Sequence, residues 1–275
     1  MRIPRLLFVW FAISATCLLL AGHLTLPSTT AAQQPAQASS GKFKVVYLRV
    51  KKKDYRVFQE ELKKERVLEG IVSDLNDTFV LPSDITLTFG ECGEANAFYD
   101  PAKQRVTMCY ELVESFYEIF SDSETNQDEL DDAVAGATIF IFFHELGHAL
   151  VHVLDLPITG KEEDAVDQLS LFVLTDGTDS GEKAALDGAR ALALEGQDEG
   201  ATVDDLAFWD EHSLNEQRFY NIICGIYGQN PKKYAGLVKE KILPKARAER
   251  CEAEYQQIER SWVKLLAPHL RQTGK

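Results

Sequence analysis

One apolar stretch constrains this chain more than any other: Ile139-Phe140-Ile141-Phe142-Phe143-His144-Glu145-Leu146-Gly147-His148-Ala149-Leu150-Val151. Its flanks are apolar enough to demand burial, yet it carries three ionisable side chains in the order H-E-x-x-H. A buried imidazole without a partner costs free energy, so both histidines need something to bind. On a helix, His144 and His148 project from one face a turn apart, where two neutral ring nitrogens can share one metal ion. Glu145 lies one position round the helix, placed to act as general base toward a water activated by zinc. The bland alternative is a core helix that merely carries two histidines, and the apolar flanks speak against it.

A catalytic zinc ion keeps one position for water and therefore needs a third protein ligand. Fifteen residues after His148 comes Glu163, within Lys161-Glu162-Glu163-Asp164-Ala165-Val166-Asp167. A reversal at Pro157 to Gly160 brings the helix that begins near Lys161 back alongside the first, presenting Glu163 to the metal. Asp167 follows at i+4 on the same face, placed to accept a hydrogen bond from the far nitrogen of a ligand histidine. Glu162 is the rival ligand; otherwise Glu162 and Asp164 read as ordinary acids at a helix N-terminus.

H-E-x-x-H followed by E-x-x-x-D resembles the gluzincin metallopeptidases, whose membrane-protease branch also reads H-E-L-G-H. The resemblance implies that His144, His148 and Glu163 are ligands, Glu145 the base and Asp167 the partner of a ligand histidine. Asn96-Ala97-Phe98, followed by Pro101, looks like the N-A-F edge strand whose backbone binds peptide in that clan. His212 and Arg218 are similar to the H-x-x-x-x-x-R segment of the prenyl-protein and heat-shock membrane endopeptidases, where the pair assists the oxyanion. The proline that usually follows that histidine is missing here, as are the membrane helices, so the likeness is to a catalytic core. From about Phe43 to Trp262 the chain is similar to an uncharacterised family of predicted bacterial exported metallopeptidases named for the H-E-L-G-H motif.

These readings imply zinc-dependent hydrolysis of peptide bonds, with Glu145 as base and an extended peptide or protein substrate added along Asn96, Ala97 and Phe98. His212 or Arg218, with Tyr220 as a further candidate, is expected at the oxyanion. The rival from another class is a non-catalytic zincin-fold module of the cell envelope that holds metal or a partner protein. Glu145 argues against it, since a structural site needs no base and no open position.

With 275 residues and 45% hydrophobic content, the chain can bury a sizeable core. Arg2 and Arg5 before an apolar run from Leu6 to about Ala21 read as an export signal, with cleavage at Ala36-Gln37-Ala38 or near Ala32. Residues 1–38 are thus the signal and cleavage region and 39–275 one mature domain, periplasmic or secreted. Membrane contact arises only if the signal stays as an anchor. A net charge of −14 argues against a nucleic-acid partner. Outside the signal, Cys92, Cys109, Cys224 and Cys251 favour two disulfides in an oxidising compartment. Three pairings are open, and proximity favours Cys92–Cys109 and Cys224–Cys251.

The expected order is α+β and zincin-like, with a small N-terminal sheet carrying an edge strand and a mostly helical part carrying the metal site. Lys42 to Val50 and Ile85 to Phe89 read as strands, and Asn96 to Tyr99 with Arg105 to Tyr110 as a hairpin. A single long amphipathic helix is expected over Tyr55 to Phe79. Further helices are expected at Glu111 to Phe120, Glu129 to Leu154, Lys161 to Leu174, Glu182 to Leu194, Asp204 to Asp210, Leu214 to Tyr227 and Lys245 to Leu266. The acidic stretch Ser121 to Asp132 lacks the glycine and spacing of a calcium loop and reads as a solvated loop.

Overall fold

The computed structural model describes residues 41–124, 126–195 and 208–272, so the export segment and most of the short helix expected at Asp204 to Asp210 lie outside the described residues. Four short strands make one sheet in the order β1-β2-β4-β3: β1 (Phe43–Val45), β2 (Ile85–Gly90), β3 (Ala97–Asp100) and β4 (Arg105–Cys109). β1 and β4 both run parallel to β2, and β3 pairs antiparallel with β4 as the expected hairpin. β3 is thereby an edge. The first strand is shorter than its alternating sequence suggests. Val46 still donates to the Leu87 carbonyl, and beyond it the chain leaves β2 for the helices.

A parallel β1–β2 pair requires a crossover, made by α1 (Lys53–Lys64) and α2 (Val67–Thr78). Here the structure corrects the sequence reading of one continuous helix from Tyr55 to Phe79. Arg66 takes the left-handed conformation, φ 57°, and splits the helix in two. One rod over that stretch would measure about 36 Å, roughly twice the length of a five-residue strand. Breaking it lets Phe58 and Leu62 of α1 and Leu68, Ile71 and Leu75 of α2 all bury in the same core as β2.

The helical part comprises α3 (Tyr110–Phe120), α4 (Gln127–Val153), α5 (Glu162–Leu174), α6 (Asp179–Glu195), α7 (Asn215–Gln229), α8 (Ala235–Lys239) and α9 (Lys245–Leu266). The acidic stretch ends inside α4, whose first turn is capped by the Asn126 side chain accepting from the Glu129 amide. Asp128 and Glu129 in that turn suit the positive end of the helix dipole. α4 is long and apolar enough to cross a membrane, but its most apolar window is mostly buried inside the protein, so it serves as the core helix.

α5 returns along α4 at very close range. A Cβ on Gly147 would meet Val166 Cβ and Cγ1 at 2.8 Å, so only a hydrogen fits between the α4 backbone and the Val166 side chain. Cys92–Cys109 and Cys224–Cys251 are the disulfides formed, the pairing that proximity favoured. The second ties α7 to α9.

Candidate metal centre

The two histidines of α4 meet as the helical spacing requires, with His144 Nε2 and His148 Nε2 3.3 Å apart. The close approach at Gly147 brings the first turn of α5 over them. Glu163 Oε2 then lies 3.1 Å from His144 Nε2 and 3.3 Å from His148 Nε2. Ligands at zinc–nitrogen and zinc–oxygen bond lengths in a tetrahedron stand about 3.3–3.5 Å from one another. The three observed edges, 3.1 to 3.3 Å, fit that triangle. These residues could hold one metal ion, and two imidazoles with one carboxylate are donors that suit zinc.

Each histidine is held from behind by its own carboxylate. His144 Nδ1 is 2.7 Å from Asp167 Oδ1, and His148 Nδ1 is 2.7 Å from Glu162 Oε1. A proton donated from Nδ1 leaves the Nε2 lone pair free to face a metal. Asp167 is in turn gripped by Arg218, whose Nε and Nη2 donate to its two oxygens at 2.8 and 2.9 Å. Burial pushes the Asp167 carboxyl up, but the Arg218 guanidinium and His144 outweigh it and hold it at about 2. Burial also opposes ionisation of Glu163, and hydrogen bonds from the histidines bring it well below the usual carboxylate range. His144 in the metal-free protein is pushed down by burial and pulled up further by Asp167 and Glu163, to about 9. The carboxylates that favour an imidazolium there equally favour a metal cation.

Glu145 is 7% exposed and lines the cleft beside the histidines. Burial raises its pKa, with the histidines opposing, which moves a carboxylate toward the neutral range where a general base works best. The cleft, about 630 Å³, is bordered by Asn96, Ala97, Phe98 and Tyr99 of the edge strand. Because the Asn96 carbonyl accepts from the Cys109 amide, the ladder alternation turns Asn96, Phe98 and Asp100 toward β4. Ala97 and Tyr99 therefore turn their backbone groups to the open side. The Ala97 amide is already engaged by Asn96 Oδ1 at 2.8 Å, which leaves the Ala97 carbonyl and both Tyr99 backbone groups for a partner. Tyr99 Oη lies 2.8 Å from His152 Nδ1, tying the edge strand to α4.

His212 reaches the same centre from the segment before α7. Its Nε2 is 3.0 Å from Glu163 Oε2 and its Nδ1 is 3.1 Å from Asp210 Oδ1, with the ring still 43% exposed. Arg218 is brought to the site too, but it is buried and two of its nitrogens are engaged by Asp167. Tyr220 is 40% exposed and is not among the residues that line the cleft. Sequence reasoning missed three things here. Glu162 backs a histidine where it had been the rival ligand, His152 anchors the edge strand, and α6 supplies a wall through Ala191, Leu192 and Glu195. The adjacency of Glu162 to Glu163 was the one available signal for the first; the others depend on long-range packing.

Comparison with curated proteins and with solved structures returns no match. The DUF4344 family, described as putative metallopeptidase, matches residues 47–266. That span takes in three of the four strands, both helices of the metal cradle and the segment carrying His212 and Arg218. The chain belongs to this family of putative metallopeptidases.

Proposed function

We propose that the protein is an exported zinc metalloendopeptidase in which His144, His148 and Glu163 hold the ion and Glu145 is the general base. The observation that carries this reading is the triangle of three donors at ligand spacing, with a buried carboxylate beside it and an open strand edge across the same cleft. Zinc bound there supplies Lewis acidity, which acidifies water and polarises a carbonyl. Glu145 accepts the proton of the attacking water and passes it to the leaving amine. The peptide lies extended along β3, bonded to the Ala97 carbonyl and the Tyr99 backbone, as an added strand. Phe98, 40% exposed, flanks that track.

His212 is the candidate donor to the oxyanion. Its hydrogen bond to Glu163 raises its pKa against the opposing effect of burial, so it carries a proton to donate. Arg218 acts through Asp167 as a positioning residue for His144. We read residues 39–275 as the mature domain, and the two disulfides are consistent with a periplasmic or secreted location.

The test is metal analysis after dialysis, followed by digestion of unfolded protein and a peptide library. Glu145→Gln should keep its zinc while kcat/KM falls by about 10²–10⁴-fold, the usual contribution of a positioned base. A protein that retains no zinc, or proteolysis that survives Glu145→Gln, overturns the reading.

A further inference from the structure

Besides the edge strand, the cleft is lined by apolar residues from three helices. Leu112 and Phe116 come from α3, Ile141 from α4, and Ala191 and Leu192 from α6. All of these but Ile141 are buried, and Ile141 is partly so. One turn beyond Ala191, the last residue of α6 places a carboxylate on the same wall, Glu195. Desolvation raises its pKa, with only the charge of Arg218 opposing.

The carboxylates of this cleft differ in how they are engaged. Glu163 is held by three histidines and Glu162 by His148. The buried guanidinium of Arg218 is forked onto Asp167. Glu195 makes no side-chain ion pair or hydrogen bond among the described residues, and neither do Glu145, which is placed beside the histidines, and Glu211; of these three, Glu195 is the one carried by α6 next to Ala191 and Leu192. Glu195 is itself exposed to the cleft, so its charge is hydrated in the free protein and open to an incoming cation.

We infer that this wall selects a peptide with a Lys or Arg side chain flanking the scissile bond, the methylene stem lying on Leu112, Phe116, Ile141 and Leu192 and the charged head on Glu195. The inference rests on the peptidase reading and deepens it. Lys and Arg are the side chains with an apolar stem and a charged tip, and the wall presents the complementary sequence of surfaces. A norleucine side chain fills the apolar part and leaves Glu195 unpaired. An acidic side chain meets repulsion from Glu195 and from Glu211, which lines the same cleft.

The experiment uses the purified zinc-loaded protein and N-acetylated quenched peptides that differ only in carrying Lys, Arg, norleucine or Glu at the two positions flanking the cleaved bond. Lys and Arg peptides should exceed norleucine by about tenfold in kcat/KM, the scale of one charge-assisted hydrogen bond, with Glu lowest. Glu195→Gln should collapse the ratio toward unity, and Glu195→Lys should invert it in favour of Glu. An unchanged ratio in Glu195→Gln overturns the proposal, as does cleavage confined to non-acetylated peptides, which would make the recognised cation a chain terminus. If the loaded protein cleaves none of the peptides, the peptidase reading fails on its own. The affinities of the same peptides for the Glu145→Gln protein, by fluorescence anisotropy, then decide the selectivity. An equal affinity for Lys and norleucine peptides overturns it.

Discussion

Asp167 and Asp187 are buried carboxylates on successive helices, 7% and 3% exposed, and their surroundings push them in opposite directions. Asp167 faces Arg218, which is itself 8% exposed and donates to both carboxylate oxygens. Asp187 also has cations beside it, Lys183 at 2.8 Å and Arg190 at 3.4 Å, but their side chains are 42% and 40% exposed. Asp167 is held at about 2 despite burial, whereas burial pushes Asp187 up to about 6. Lys183 remains hydrated and Arg190 is shared with Glu124 at 2.6 Å, so their charges are screened or divided, whereas the dry guanidinium forked onto Asp167 is not. Burial of the partner, more than proximity, decides whether a buried carboxylate keeps its charge. Behind His144 that matters directly, because only a full anion both orients the imidazole and adds to the field that attracts a metal.

The comparison can be broken most severely by truncation. Asp167→Ala strands Arg218 in the interior and should cost about 3–5 kcal/mol in urea denaturation. Asp187→Ala should cost clearly less, because Lys183 and Arg190 turn to solvent. Equal losses at the two positions would erase the distinction. The next effect is a pH dependence. The folded pKa of Asp187 lies above its unfolded value, so the native state binds the proton more tightly. The stability this contributes is present at about pH 4 and is lost as pH rises through about 6. Against an Asp187→Asn control, the wild-type protein should lose on the order of 2 kcal/mol across that window. A flat difference between the two proteins would mean that Lys183 and Arg190 hold Asp187 ionised after all.

The smallest effects are on the metal. Asp167→Asn should lower zinc affinity by about 10–100-fold in competition with a chelating dye. Glu162→Gln should fall at or below the low end of that range, about tenfold, because the Glu162 side chain is 46% exposed and works in higher dielectric. Asp187→Asn should leave affinity unchanged. A larger loss at Glu162 than at Asp167 would reverse the ranking of the two histidine supports.

The geometry of the candidate metal centre was legible because helical spacing is local. His144 and His148 at i+4, the reversal at Pro157 to Gly160, and Glu163 with Asp167 at i+4 all follow from short-range geometry. The hairpin was legible for the same reason, whereas the disulfide pairing stayed open among three and the structure forms the one that proximity favoured. The split at Arg66 was not, since Lys64-Glu65-Arg66 contains neither glycine nor proline and the apolar period runs on through it. Only the shortness of the sheet forces the break. Parallel pairing of β1 with β2 is likewise a matter of the whole chain. The engagement of Arg218 was not legible, because the resemblance pointed it at the oxyanion, while the fold places Asp167 against it.

Gly147 ends up as the fulcrum of the molecule. The distance between α4 and α5 is gauged by a hydrogen atom against the Val166 side chain, so the triangle of candidate donors inherits its dimensions from that contact. α6, which carries Glu195, is set against the same helix by a second close approach, Gly188 on Phe140 of α4. The cleft wall and the candidate metal seat therefore share one helix as their common reference. A single added methyl at either crossing would spread the calipers.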